Sequence, residues 1–165
     1  MNEKLKKLVM AAVLAALTAV ATMVVKIPSP LHGYVNFGDC VVLAAGWLLS
    51  PFSGFLAAGV GSALADVFSG YALYAPATFL IKGLMALAAF YCYKLASKRL
   101  SDLPGRLISG IAAEALMVLG YLAFESVLYG FVPSLANVPA NCVQGVAGII
   151  IGTVLIKVLK RAIKR

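Results

Sequence analysis

The stretch LVMAAVLAALTAVATMVV, residues 8–25, decides the fold. It carries no charge, and its only polar side chains are the hydroxyls of Thr18 and Thr22. Its 18 residues would rise about 27 Å as a helix, close to the hydrocarbon thickness of a bilayer. The basic start at Lys4, Lys6 and Lys7 and the triplet Ala19-Val20-Ala21 imitate a secretory signal. Signal apolar regions are usually about 7–15 residues, shorter than this run. Cleavage would also leave an odd number of spans between basic clusters. A retained first helix is therefore expected.

Five more apolar runs follow. The expected helices are about 8–25, 38–50, 52–69, 76–96, 107–130 and 139–160, all within one membrane domain over residues 1–165. Ser50-Pro51, Gly130 and Pro133 end runs, and Pro76 opens one, where its missing N–H costs nothing. The last three are long enough to span. The second and third are only about 18–25 Å long by helical rise, and read either as short spans or as a re-entrant hairpin. Of the chain, 62% is hydrophobic and 12% charged, with a mean hydropathy of +0.98. Too few polar residues exist to cover a soluble surface, so the solvent is lipid and the fold class is all-α, polytopic.

Charge sets the orientation. Twelve of the fourteen basic residues fall in three clusters: Lys4, Lys6, Lys7; Lys94, Lys98, Arg99, Arg106; and Lys157, Lys160, Arg161, Lys164, Arg165. Six spans put all three on one side, which the positive-inside rule makes cytoplasmic, together with both termini. Lys26, the basic residue beside an outer loop, sits at a helix end from which it can snorkel. The net charge of +8 therefore reads as membrane topology rather than nucleic-acid binding, since no aromatic-interleaved basic face accompanies it. Cys40, Cys92 and Cys142 form no metal-type pair and read as small buried hydrophobes. The single histidine, His32, lies in a loop, and no Ser or Cys has an evident base beside it. No metal, cofactor or catalytic residue is expected. No G-x-x-x-x-G-K-[ST] occurs, so the chain has no phosphate loop with which to use ATP.

Small residues recur at four-residue spacing. Ala11, Ala15 and Ala19 line one face of the first helix, with Ala12 and Ala16 on the adjacent strip. Ala57, Gly61 and Ala65 do so in the third, and Gly148 with Gly152 in the sixth. Such faces permit close helix contact in lipid. For the third and sixth helices internal packing is the preferred reading. The first helix reads equally as packing or as a face that docks a partner subunit.

Charged side chains within a bilayer are costly, so each is a candidate site residue. Asp39, Asp66, Lys82, Glu125, Asn141 and Gln144 all fall in the outer half by helix position, and only Glu114 lies inward of the midpoint. Tyr34, Asn36, Tyr71, Tyr74 and Asn137 occupy the adjoining outer loops. A transmembrane ion path would distribute polar groups through its depth, whereas capture of a solute from outside concentrates them at one face. Aromatics with a few hydrogen-bonding groups suit a flat, ring-containing ligand. Acids outnumber the base there, which favours a neutral or weakly basic heterocycle over a nucleotide. Plainer readings exist for several: Asp66 and Lys82 as an interhelical ion pair, Asp39 as a helix cap, Tyr71 and Tyr74 as interfacial anchors. Asn141 and Gln144 share a face, and Glu114, Tyr121 and Glu125 lie along one stripe.

Ile27-Pro28-Ser29-Pro30, Gly33-Tyr34-Val35-Asn36-Phe37-Gly38-Asp39, Ala65-Asp66-Val67-Phe68-Ser69-Gly70-Tyr71, Tyr74-Ala75-Pro76-Ala77-Thr78 and Ile81-Lys82-Gly83 follow the Ala-rich first helix in order. In this the chain resembles the S components of energy-coupling factor (ECF) transporters, most closely the riboflavin/hydroxymethylpyrimidine/pyridoxine-type group. The resemblance covers nearly the whole chain and is strongest over 11–90. It implies six helices, a vitamin or precursor bound near the outer face, and a lid at residues 27–37. It also implies docking of a transmembrane coupling subunit on Ala11, Ala15 and Ala19, or Ala12 and Ala16. Two ATPase subunits would drive the cycle, with the S component toppling in a bacterial plasma membrane to release its ligand. Two other functions stay open from the residues alone: a self-sufficient secondary transporter with Glu114 and Glu125 carrying protons, and, less favoured, a membrane-embedded enzyme.

Overall fold

The computed structural model describes residues 2–30 and 33–163; Met1, Leu31, His32, Lys164 and Arg165 fall outside them. Helix α1 spans Glu3–Val24, and the Asn2 side chain caps it by accepting from the Lys4 N–H. It starts five residues before the apolar run, so Lys4, Lys6 and Lys7 form its exposed first turns. Pro28 and Pro30 cannot continue a helix, and Ile27, Tyr34 and Val35 favour extended backbone. The segment expected as a plain loop instead pairs strands β1 (Lys26–Pro28) and β2 (Tyr34–Asn36) antiparallel, with Ile27 opposite Val35.

Helix α2 (Gly38–Leu48) is only 11 residues long, about 16 Å of rise. Every residue from Gly38 to Trp47 is buried. The reason is position: α3 (Pro51–Phe68), α4 (Ala75–Ala96), α5 (Asp102–Tyr129) and α7 (Val138–Ile163) follow α1 around it. Neighbours in this ring are α1 with α3, α3 with α4, α4 with α5, and α5 with α7, while α1 and α7 both close onto α2. A helix so enclosed by its fellows presents little surface to lipid and need not match the bilayer thickness. A short helix α6 (Phe131–Ser134) and a 3₁₀ turn (Leu135–Asn137) lead into α7. Among the described residues, five helices are long and apolar enough to cross a membrane, and α2 is a shorter apolar sixth. The all-α polytopic architecture of six main helices is thus realised.

Two apolar clusters meet at α2. Val42, Leu43 and Trp47 face Met85, Met117 and Ile156. Val41 and Leu49 face Leu14 and Ala57. Glycine permits two close approaches. A Cβ on Gly61 would lie 2.4 Å from the Ala15 carbonyl oxygen, so the Ala57-Gly61-Ala65 stripe is the seat of α1. A Cβ on Gly148 would lie 2.7 Å from a Glu114 oxygen and 2.9 Å from the Asp39 Cβ. Both stripes serve internal packing, as expected. On α1 the described buried residues are Leu14, Thr18 and Thr22; Ala11, Ala15 and Ala19 are half-buried, and Ala12 and Ala16 are exposed.

At the end where the chain starts, Arg106 departs from the reading of a simple surface cation. It is 1% exposed, lies over the rings of Trp47 and Tyr93, and donates to Asp102. The Trp47 indole N–H donates to Ser109 beside it. Of the cysteines, all free, Cys40 is buried, Cys92 half-buried and Cys142 exposed. The expectation of three buried thiols therefore fails at Cys142, which lies on the outer face of α7.

Candidate functional site

Polar side chains converge at the opposite end, where α2, α4 and α7 begin and α3 and α5 finish. The deeper layer is an ion pair. Lys82 on α4 donates to Asp39 on α2, with 3% and 0% of the side chains exposed. Gln144 on α7 donates through Nε2 to the other Asp39 oxygen at 2.7 Å. The Lys82 ammonium also faces the Tyr121 ring, 5.4 Å from its centroid. Two expectations change here. Lys82 pairs with Asp39, not with Asp66. Asp39 does not cap α2 but lies inside it; Phe37 stands at the cap position, and the Asn36 side chain before it accepts from the Gly38 N–H at 2.8 Å. Asp39 is instead turned into the bundle, where Lys82 and Gln144 satisfy both oxygens. Glu114 packs against Gly145 and Gly148, close beneath Asp39.

The shallower layer joins the hairpin to the helices. The Asn36 N–H donates to Gln144 Oε1 at 2.8 Å, so one amide side chain ties β2 above to Asp39 below. The Tyr34 hydroxyl donates to Asp66 Oδ1 at 2.7 Å. Burial, and the Asp66 carboxylate beside it, hold the Tyr34 phenol well above its ordinary titration range. Lys26, at the base of the hairpin, donates to Ser69 at 3.0 Å. Tyr34 and Tyr71 pack ring to ring at 4.8 Å, Tyr71 and Tyr74 edge to face at 6.5 Å. Asn137 donates to Glu125 Oε1 at 2.8 Å, and Thr78 shares a hydrogen bond with Tyr121 at 3.1 Å.

Between these layers lies a cavity of about 40 Å³. Eight expected residues line it: Tyr34, Asn36, Asp66, Tyr71, Tyr74, Glu125, Asn141 and Gln144. Asp39 and Lys82 do not line it; they form its floor's support through Gln144. Ser29, Gly33, Thr78 and Tyr121 also line it and were not among the expected site residues. A signal for two of them was present. Thr78 lies one turn before Lys82, and Tyr121 one turn before Glu125, on the same helix faces. Ser29 and Gly33 reach the cavity only because the hairpin folds over it, which periodicity does not encode. Part of the expected lid, residues 27–37, lies outside the described residues. Among the described residues, no cluster of three or more His, Cys, Asp or Glu side chains has metal-ligand geometry.

A bundle wrapped on a buried short helix, with a polar cavity under a hairpin at one end, has counterparts among known proteins. The sequence profile of the ECF-type riboflavin transporter S component matches residues 2–161, and the chain belongs to that family. An uncharacterized protein of the gap 3′ region of Pyrococcus woesei is 41% identical over 145 residues, covering 87% of this chain and 95% of that one. A solved S component of a bacterial ECF transporter superposes with a TM-score of 0.75 at 26% identity, covering 99% of this chain and all of the other. The S component for biotin from an ECF-type ABC transporter shares the fold, with a TM-score of 0.67 at 18% identity over 97% and 95% of the two chains. The protein is accordingly a multi-pass membrane protein and a substrate-binding subunit of an ECF-type transporter. In such systems it works with a membrane T component and ATPases.

Proposed function

We propose that this chain captures a water-soluble, vitamin-like heterocycle at the outer face of a cell membrane and delivers it through a transmembrane coupling subunit powered by two ATPases. The observation that carries this reading is the cavity under the hairpin, with tyrosine rings and hydrogen-bonding side chains at one end of an otherwise apolar bundle. The described basic clusters lie at the other end, so the positive-inside rule turns the cavity outward and both termini inward. Within that class we propose a single ring of the pyridoxine or hydroxymethylpyrimidine kind, with riboflavin the alternative. Ala12 and Ala16, with Ala11, Ala15 and Ala19 beside them, supply the smooth strip on which the coupling subunit docks.

The test is mass spectrometry of small molecules released by denaturing gently purified protein. A stoichiometric pyridine or pyrimidine supports the reading; a flavin moves the assignment to riboflavin. One observation favours a second reading, a proton-coupled secondary transporter: neither Glu114 oxygen has a hydrogen-bond partner although the residue is 5% exposed. Uptake into liposomes holding this chain alone, driven by a pH gradient, would establish that alternative.

A further inference from the structure

Two carboxylates face the cavity, and each is half occupied. Asp66 receives the Tyr34 hydroxyl on Oδ1 and has the Thr78 hydroxyl beside it, while its Oδ2 is buried and makes no close hydrogen bond. Glu125 receives the Asn137 amide on Oε1 and has the Tyr74 hydroxyl beside it, while its Oε2 is buried and makes no close hydrogen bond. Asp66 is 5% exposed and Glu125 3%. A buried acceptor left empty costs about 1–3 kcal/mol, more when charged, so two such oxygens beside one cavity are a cost that a ligand can remove. Among the described residues, no lysine or arginine lines the cavity to balance them, since Lys82 is committed to Asp39 and Lys26 to Ser69.

From this we infer that the ligand is a hydrogen-bond donor at two separate points, one N–H or O–H meeting Asp66 Oδ2 and another meeting Glu125 Oε2, and that it carries no phosphate or carboxylate. The inference rests on the capture function proposed above and narrows it to neutral or cationic rings bearing amino, ammonium or hydroxymethyl groups. An anionic ligand would place its charge against two carboxylates in a site of low dielectric, with no cation to receive it. In each carboxyl an internal partner holds one oxygen and leaves the other for the ligand. Asn137 donates to Glu125, so in Glu125→Gln the amide oxygen keeps that bond and the NH₂ replaces the acceptor at the cavity. Asp66→Asn does the same when Tyr34 continues to donate. Each variant then opposes a donor to the ligand's donor at almost unchanged volume.

The experiment is calorimetric titration of the full chain in nanodiscs with pyridoxine, hydroxymethylpyrimidine and riboflavin, their phosphate esters, and biotin. At least one unphosphorylated ring is expected to bind, its ester about 100-fold more weakly or worse, and biotin not at all. Glu125→Gln and Asp66→Asn are each expected to weaken that binding about tenfold or more. Cys142→Ser, on the exposed face of α7, leaves it unchanged. Equal or tighter binding of an ester or of biotin overturns the inference, as does full affinity in both variants. Ester discrimination is read on the unaltered chain, so it decides even where a variant does not fold. A chain that assembles with an ECF module but binds none of the probes at about 1 mM overturns the assignment of these two oxygens. A chain that neither assembles nor binds overturns the proposed function itself.

Discussion

Lys82 and Asp39 form a buried ion pair between α4 and α2. Removing one partner of a buried pair leaves the other charge stranded, at a typical cost of about 3–5 kcal/mol. Lys82→Met should therefore lower the thermal midpoint in detergent sharply. Adding Asp39→Asn should restore much of it, because the neutral amide still accepts from Gln144; no recovery would show that the lysine acts through packing alone. Tyr34 gives a second test. Its phenol is held up by burial and by Asp66, so the neutral form is favoured in the folded state. The associated stability is full below the ordinary phenol range near pH 10 and is lost only as pH rises through the higher folded value. Absorbance titration should show fewer phenolates near pH 10–11 than the seven tyrosines could supply, and Tyr34→Phe should shrink that deficit by one. At this scale the sequence was informative about which polar residues converge, because bilayer cost singles them out. It was silent on who bonds whom: the Asp39–Lys82 pair joins positions 43 residues apart, and spacing along a chain carries no such information.

At the scale of elements, α1 has two unlike faces. Its inner face rests on Gly61, where any side chain meets the Ala15 carbonyl. Gly61→Leu should force the two helices apart and destabilise the fold by about 1–3 kcal/mol or more. Its outer strip at Ala12 and Ala16 is exposed. Ala16→Trp should leave the thermal midpoint and ligand affinity in place while abolishing co-purification with the coupling subunit. Loss of ligand binding in that variant would remove the docking role. The helices themselves were legible from apolar run length, and their ends less so: α5 starts at Asp102 rather than near Leu107, because Arg106 is buried under two aromatic rings instead of marking a loop. The hairpin was not legible, since three-residue strands lie below any periodicity.

For the whole molecule, the asymmetry of the two ends is the principal property. One is basic and closed by Arg106, Trp47 and Tyr93; the other is polar and hollow. In right-side-out vesicles lacking native cysteines, a membrane-impermeant maleimide should label Lys26→Cys and spare Lys98→Cys until the vesicles are opened. The reverse pattern would invert the proposed topology. The charge clusters are what the proposed sidedness rests on, and the six main helices followed from hydropathy. That α2 sits at the centre, with the others wrapped around it, did not, because a helix apolar on every side looks the same whether it meets lipid or protein.

The hairpin over the cavity is fastened by a handful of bonds: Tyr34 to Asp66, Asn36 to Gln144 and Lys26 to Ser69. Bonds of this kind contribute about 0.5–1.5 kcal/mol each. The flap is then ajar for on the order of a tenth to a thousandth of the time. Most collisions from outside find it shut, and a molecule once inside waits equally long to leave. Tyr34→Phe should quicken arrival and departure together in stopped-flow traces, and a change in departure alone would assign the hydroxyl to the ligand instead. On the proposed function, slow exchange of this sort would give the protein a memory: a scarce solute, once seized, would stay aboard while its carrier drifts through the bilayer toward its motor.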